Sequence, residues 1–325
     1  YSVDDNFTTN FMTLLNRLPF FPLYYNGNTK FTPIHCSDLV DIIYYILSNN
    51  INSKIIECVG NEIITFKEIL KKLLVLINKK RLLYKKSDFS RENMRGIWAA
   101  ALNPFTESLE IDEIGFRKNI RHWLDNLEID GLFIAGKQGE CFSMTIEERK
   151  KCMEIAVDET SKGAKKAGTI LSCSDQNMAT TLELAKFAQD IGADYIVVHA
   201  PILHFTKKQD ETLMQFYSHI SEQVDIGIAM WSHPDSGYLM SPQICNEIAK
   251  LPNIVAIKYS VPREMYKELT QLAGDNLIVS TASEDEWLDN IEELNWRLYL
   301  CSSPPYLYQT SSDKRMREYT DLAFS

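Results

Sequence analysis

Apolar and polar positions along the chain fall into two textures, which change over near residues 85–95. From 96 onward, short apolar runs rich in β-branched residues recur at 96–105, 131–136, 167–174, 194–201, 225–234, 253–260, 276–283 and 296–304. Runs this short and this continuously apolar suit parallel strands buried on both faces. Amphipathic helical stretches lie between most of them, and two carry clear start signals. Thr145 followed by Glu148 makes a capping box ahead of ERKKCMEIAVDE. Ser241 before Pro242 places an N-cap ahead of a proline at the first helical position. Eight strands separated by helices predict an α/β fold, a (β/α)8 barrel over 91–325. An open doubly wound sheet is the alternative, but it usually has fewer strands and a glycine-rich first turn, which is missing here. Only SSDKRMREYTDLAFS follows the last strand region, about one helix, so the barrel is expected to be truncated at its C-terminal end.

Residues 1–90 read as a separate, small α/β fragment. The stretch 31–47 suggests a strand entering a helix, 54–60 a strand, and 65–77 a helix opened by a capping box from Thr65 to Glu68. That is too little to bury both faces of a sheet. The polar stretch 85–93 reads as a linker. The basic, apolar segment 70–84 has the look of a membrane-surface helix, although a helix packing on its own domain is the commoner case.

Composition narrows the partners. A formal net charge of -10 with no long basic run argues against nucleic acid and anionic membrane, which need clustered Lys and Arg. Seven cysteines, odd in number and never in CxxC spacing, suggest neither a disulfide framework nor a zinc site, and fit a reducing, cytoplasmic location. No apolar run reaches the ~18 residues of a membrane span. The first residue is Tyr1, which suggests a fragment or a processed product.

In a barrel, chemistry gathers at the C-terminal ends of the strands. Lys258 ends the run Ile254, Val255, Ala256, Ile257. An ammonium there is costly unless paired or deprotonated, and desolvation lowers a lysine pKa and makes the amine a nucleophile toward carbonyls. On position alone, a lysine that has simply reached solvent remains the commoner reading. Gly136, Lys137, Gln138, Gly139 and Glu140 follow the second strand region, where two glycines let the backbone turn tightly and Lys137 adds a cation for a carboxylate. An ordinary strand-to-helix turn has the same pattern. Met230, Trp231, Ser232, His233 and Pro234 end the fifth region: Trp231 offers an apolar wall, and His233 titrates near neutral pH. His233, His199 and His204 are equally at home as loop or core residues. No cluster has metal-ligand spacing, so no metal is indicated.

Together, GIWAAALNPFTESLEID (96–112), GLFIAGKQGECFSMTIEER (131–149), TLELAKFAQDIGADYIVV (181–198) and NIVAIKYS (253–260) resemble the dihydrodipicolinate synthase / N-acetylneuraminate lyase family of pyruvate-dependent class I aldolases and dehydratases. The resemblance runs from about Met94 to the end. It implies that Lys258 forms a Schiff base with pyruvate or a related 2-keto acid, that Lys137, Gln138 and Gly139 hold the substrate carboxylate, and that the protein forms a homo-oligomer, a dimer or tetramer, with no cofactor. The departures are as informative. The family's Thr-Thr or Ser-Thr pair in the carboxylate loop is Lys137 and Gln138 here. Its proton-relay tyrosine is matched by Trp231, or by Met230 if the register shifts by one, its tyrosine pair after the fourth strand by Ile202 and Leu203, and the arginine that synthases place after the proline is absent. Neither Trp231, Ile202 nor Leu203 can relay a proton, which leaves His233, another residue or water. A divergent aldolase, hydratase or dehydratase is therefore expected, with a catalytically impaired keto-acid-binding barrel as the alternative and a true 4-hydroxy-tetrahydrodipicolinate synthase less favoured. Residues 1–90 resemble the C-terminal part of an extended short-chain dehydrogenase/epimerase. They lack its glycine-rich fingerprint and YxxxK pair, so no dinucleotide is assigned, and the whole has the look of a fused or fragmentary reading frame.

Overall fold

The structure, a computed structural model, describes residues 6–17, 20–23, 29–51, 56–79, 82–85, 94–162, 167–203, 208–302 and 309–325. The chain divides into two units, Tyr1–Ser87 and Asp88–Ser325.

The first unit contains α1 (Asn6–Arg17), β1 (Phe20–Leu23), β2 (Lys30–Phe31), α2 (Cys36–Ser48), β3 (Ile64–Thr65), α3 (Phe66–Leu76) and β4 (Leu82–Lys85). Strands β1 and β4 pair in parallel, and β2 and β3 antiparallel. The capping box is present: Thr65 Oγ1 accepts the Glu68 N–H, and the Glu68 carboxylate accepts the Thr65 N–H. Helix α3 buries Leu70, Leu73 and Leu74 with Leu15 of α1, so this part of the 70–84 segment packs within its own unit. The strand anticipated at 54–60 is not found over 56–60, and 54 and 55 lie outside the described residues. Gly60 passes so close to Pro33 that a Cβ would fall on its carbonyl oxygen, and its N–H goes to Thr32 O. The linker reading at 85–93 falls, apart from Lys85 in β4, outside the described residues.

The second unit has a strand inside each of the eight apolar runs: β5 (Gly96–Ala100), β6 (Gly131–Ile134), β7 (Gly168–Ser172), β8 (Tyr195–His199), β9 (Gly227–Ser232), β10 (Ile254–Tyr259), β11 (Ile278–Ser280) and β12 (Leu298–Cys301). They pair in parallel in the order β11-β10-β9-β8-β7-β6-β5-β12. Where β11 meets β12, the Leu300 N–H donates to Ser280 Oγ, so a side chain bridges the last seam of a nearly closed (β/α)8 barrel. The surrounding helices include α4 (Glu113–Arg121), α5 (Ile146–Lys162), α6 (Met178–Asp190), α7 (Gln209–Gln223), α8 (Pro242–Ile248), α9 (Arg263–Ala273), α10 (Trp287–Leu294) and α11 (Arg315–Phe324). Both anticipated caps form, with Thr145 and Glu148 ahead of α5 and Ser241 Oγ accepting the Ile244 N–H on α8.

Strand side chains alternate between two apolar layers. Outward positions meet the helices. Inward ones fill the barrel, among them Trp98, Phe133, Ile170, Tyr195, Ala229, Trp231, Ala256 and Leu300. The bulk of Trp98 at the lower end explains two glycines on the next two strands: a Cβ at Gly131 or Gly168 would come within 2.2 and 2.1 Å of the indole. The same alternation sets up the site. Ala256 points inward, so Lys258, two residues on, does too.

Candidate active site

Lys258 is 1% exposed, and its register partner on β9 is Trp231. Its Nζ lies 3.5 Å from Cys301 O, 5.0 Å from the centre of the Phe133 ring and 5.8 Å from that of Trp231. These neighbours cannot replace the water that an ammonium loses. Burial therefore lowers the pKa to about 8, with Cys301 and Glu284 acting weakly the other way. At pH 7 that leaves about a tenth of the amine neutral, roughly 300-fold more than for an ordinary lysine. The reading in which the lysine simply reaches solvent does not hold.

The amine opens on a cavity of about 320 Å³ at the C-terminal ends of the strands, as the barrel architecture requires of a site. Lys137, Gln138, Trp231 and His233 line it with Lys258, so five of the six residues singled out from sequence meet in one place. Gly139 lies beside them in the loop without lining the cavity. It is buried, and its carbonyl accepts from Asn103 Nδ2 at 2.7 Å. The loop is tied within itself by Glu140 N–H to Lys137 O and Cys141 N–H to Gly136 O. Among the described residues no backbone acceptor takes the N–H of Gln138 or Gly139.

Lys137 forms an ion pair with Asp235, in the turn after β9. That pairing holds the Asp235 carboxyl below its ordinary range. Asp235 also grips His233: its N–H donates to His233 Nδ1 at 3.2 Å, and its Oδ1 lies 3.2 Å from the same nitrogen. Burial depresses the His233 pKa, Asp235 opposes the shift, and the positive charges of Lys137 and Lys258 reinforce it. At neutral pH the ring is thus neutral, with Nδ1 accepting the Asp235 N–H, and the nearby carboxylate is placed to stabilise the ring when it is protonated. His199 packs edge-on against Trp231 at 4.7 Å, and burial lowers its pKa too. His204 lies outside the described residues.

Among the described residues, three buried polar atoms here have no partner: Trp231 Nε1, Gln138 Oε1 and Ser260 Oγ. Ser260, Ala282, Ser302 and Asp235 belong to the site and were not singled out from sequence. Ser260 was within reach of a period-two count from Lys258. Ala282 and Ser302 sit just past strands that were recognised. Nothing in the sequence pairs Asp235 with Lys137, 98 residues away. Ile202 is exposed, and its N–H donates to Gln176 Oε1, while Leu203 packs against the outer core.

The model of the dihydrodipicolinate synthetase family matches residues 93–295. Among curated proteins, the chain is 31% identical over 170 residues to 4-hydroxy-tetrahydrodipicolinate synthase of Methanothermobacter thermautotrophicus, covering 52% of this chain and 58% of that protein. It is 34% identical over 168 residues to N-acetylneuraminate lyase of Clostridium perfringens, covering 51% and 57%. The chain thus spans under three fifths of the length of either relative. Among solved structures, CdNal from Clostridium difficile in complex with mannosamine superposes with a TM-score of 0.63 at 26% identity, covering 71% of this chain and 76% of that one.

Proposed function

We propose, for a chain that belongs to the dihydrodipicolinate synthetase family, that its barrel is a class I lyase acting on pyruvate or another 2-keto acid through a Schiff base on Lys258. The neutral amine attacks the C2 ketone, the carbinolamine loses water, and the resulting iminium accepts the electron pair released when a bond or proton at C3 is broken. Gln138, the Gln138 and Gly139 amides and Lys137 supply the donors for the substrate carboxylate, which holds C2 against the amine. His233 carries the proton, since Trp231 stands where the family has its tyrosine and an indole has no basic nitrogen.

The observation that carries this reading is a lysine 1% exposed, shifted by burial to about 8, at the floor of a cavity lined by polar groups. Borohydride reduction in the presence of pyruvate should add the mass of the reduced adduct to one peptide, the one containing Lys258, and Lys258→Ala should abolish it. Absence of the adduct in the unaltered chain overturns the reading.

A second reading, a barrel that binds keto acids without turning them over, is favoured by Trp231, Ile202 and Leu203 standing at tyrosine positions. It predicts calorimetric binding and a trapped adduct with no product from any aldol or dehydration substrate. Of the activities named for the relatives, the synthase is the less favoured because the arginine after Pro234 is missing. A cytoplasmic homo-oligomer completes the proposal. The seven thiols, five of them buried, fit a reducing compartment, and among the described residues no helix is long and apolar enough to cross a membrane.

A further inference from the structure

His233 Nδ1 is met by two rival groups of one residue. The Asp235 N–H donates to it at 3.2 Å, and Asp235 Oδ1, an acceptor, lies at the same 3.2 Å. A ring nitrogen cannot serve both: it accepts the amide only when bare and donates to the carboxylate only when protonated. His199, whose ring centre is 6.5 Å away, has no such choice, because its Nδ1 faces Ala200 O at 2.7 Å and so carries the proton. The contest at His233 is decided at the other oxygen of the carboxylate, since Asp235 Oδ2 is paired with Lys137. Lys137 and Asp235 stand in the turns after β6 and β9, with β7 and β8 between them, so the pair bridges the mouth of the barrel. Its side chains are 46% and 48% exposed, and an ion pair so well solvated is worth little, so a new anion can draw Lys137 toward itself.

We propose that Asp235 is a positioning residue that sets which nitrogen of His233 holds the proton, and that a keto-acid carboxylate docking on Lys137 throws this switch. At rest Lys137 draws on the Asp235 charge, Nδ1 stays bare to accept the amide, and the neutral ring keeps its proton on Nε2, where it cannot act as a base. With the carboxylate on Lys137, Asp235 Oδ1 becomes the stronger partner, and Nδ1–H donates to it in a charge-assisted hydrogen bond. The partly exposed ring gives the Nε2 proton to water and takes one from water at Nδ1, so that Nε2 becomes the bare nitrogen. This rests on the reading of Lys258 as the Schiff-base amine and of Lys137 as a carboxylate partner. In the pyruvate iminium, Nε2 then takes a C3 proton while the electron pair of the C3–H bond moves into the iminium to give the enamine, and Asp235 holds the imidazolium. Lys258, the other charge that the ring feels, is positive both as ammonium and as iminium, and Trp231, 6.2 Å away ring to ring, brings none.

The test reads ring nitrogen shifts on the full chain labelled with 15N-histidine at pH 8, where burial keeps the His233 ring neutral. Of six histidine signals, the one lost in His233→Gln is assigned to His233. Without ligand, Nδ1 should show the shift of a bare nitrogen and Nε2 that of an N–H. Saturating pyruvate should exchange the two, and methyl pyruvate, with the same ketone and no charge, should not. Lys137→Met should show the exchanged pattern with no ligand at all, and Asp235→Ala should keep the resting pattern with pyruvate bound. In D2O, Asp235→Ala should slow deuterium exchange into the pyruvate methyl group about tenfold or more while borohydride trapping on Lys258 persists. An Nε2 that keeps its proton in the unaltered protein with pyruvate trapped on Lys258, or an exchange not slowed in Asp235→Ala, overturns the proposal. If the pattern exchanges with pyruvate but no adduct is trapped, the switch stands and the Schiff-base reading falls. If neither is seen, both fall.

Discussion

At Lys258 the ammonium loses its hydration to the barrel interior, and two measurements should respond to pH in linked ways. With a folded pKa of about 8 against an ordinary 10.5, the unfolded chain binds the extra proton between those values, so stability rises with pH across that window and is lowest below it. Lys258→Met should therefore stabilise the protein at pH 7 by on the order of 3 kcal/mol, with the gain fading as pH passes from 8 toward 10.5. Urea unfolding of both proteins at pH 7 and pH 10 checks this. The rate of adduct trapping with pyruvate should rise with pH and level off above about 8, since only the neutral amine attacks. Asp235 supplies the second residue-scale prediction. It raises the His233 pKa against burial, so Asp235→Asn should lower that pKa further, seen as an acid-ward move of the His233 ring signal in an NMR titration. It should also weaken keto-acid binding, because Lys137 loses the partner that holds it at the cavity.

At the scale of elements, strand packing and helix starts determine where those side chains stand. Gly131, on the strand next to Trp98, and Gly168, one strand further on, are small because the indole lies across both. Gly168→Ala should cost about 1–3 kcal/mol through overpacking, and much of that should be recovered when Trp98→Leu is added, a coupling that a double-mutant cycle would measure. Thr145 caps α5 shortly after the turn at 136–140. Thr145→Ala should cost about 1 kcal/mol by denaturant unfolding. Strand β10 carries the largest functional consequence of register. A slip of one residue would turn Lys258 into the helix layer and bring Ile257 or Tyr259 to the cavity.

At the scale of the whole barrel, closure is finished by side chains from its last elements. The Arg317 guanidinium of α11 pairs with Asp130, whose carboxylate also takes the Ile97 N–H at the start of β5, while Gln309 Nε2 donates to Leu127 O. Trp287 of α10 reaches Thr320 of α11 at 3.1 Å. The final helix thus ties the lower rim of β5 and β6 to the end of the chain. Arg317→Ala should cost about 2 kcal/mol, the scale of a lost hydrogen bond to a charged partner, and should lower Tm without changing which lysine is trapped. Sedimentation velocity would show whether the barrel assembles as a dimer or tetramer.

Much of this was legible in the linear order of residues. Eight short apolar runs pointed to buried strands, the Thr-x-x-Glu and Ser-Pro signals set two helix starts, and Lys258 at the end of such a run became a candidate once the family resemblance was added to its position. These are local properties, decided by solvation and by the backbone's own hydrogen-bonding needs. The 54–60 stretch shows the limit: its apolar residues read as a strand, but over 56–60 none forms, and Gly60 passes close to Pro33 with its N–H on Thr32 O. Only the folded chain decided that Lys258 faces a cavity and not solvent, that Asp235 joins Lys137 to His233, and that Trp231 and Ser260 keep polar atoms unspent beside the amine. Those facts depend on barrel closure, which brings residues about a hundred positions apart within hydrogen-bonding distance, and no period in the sequence encodes that distance.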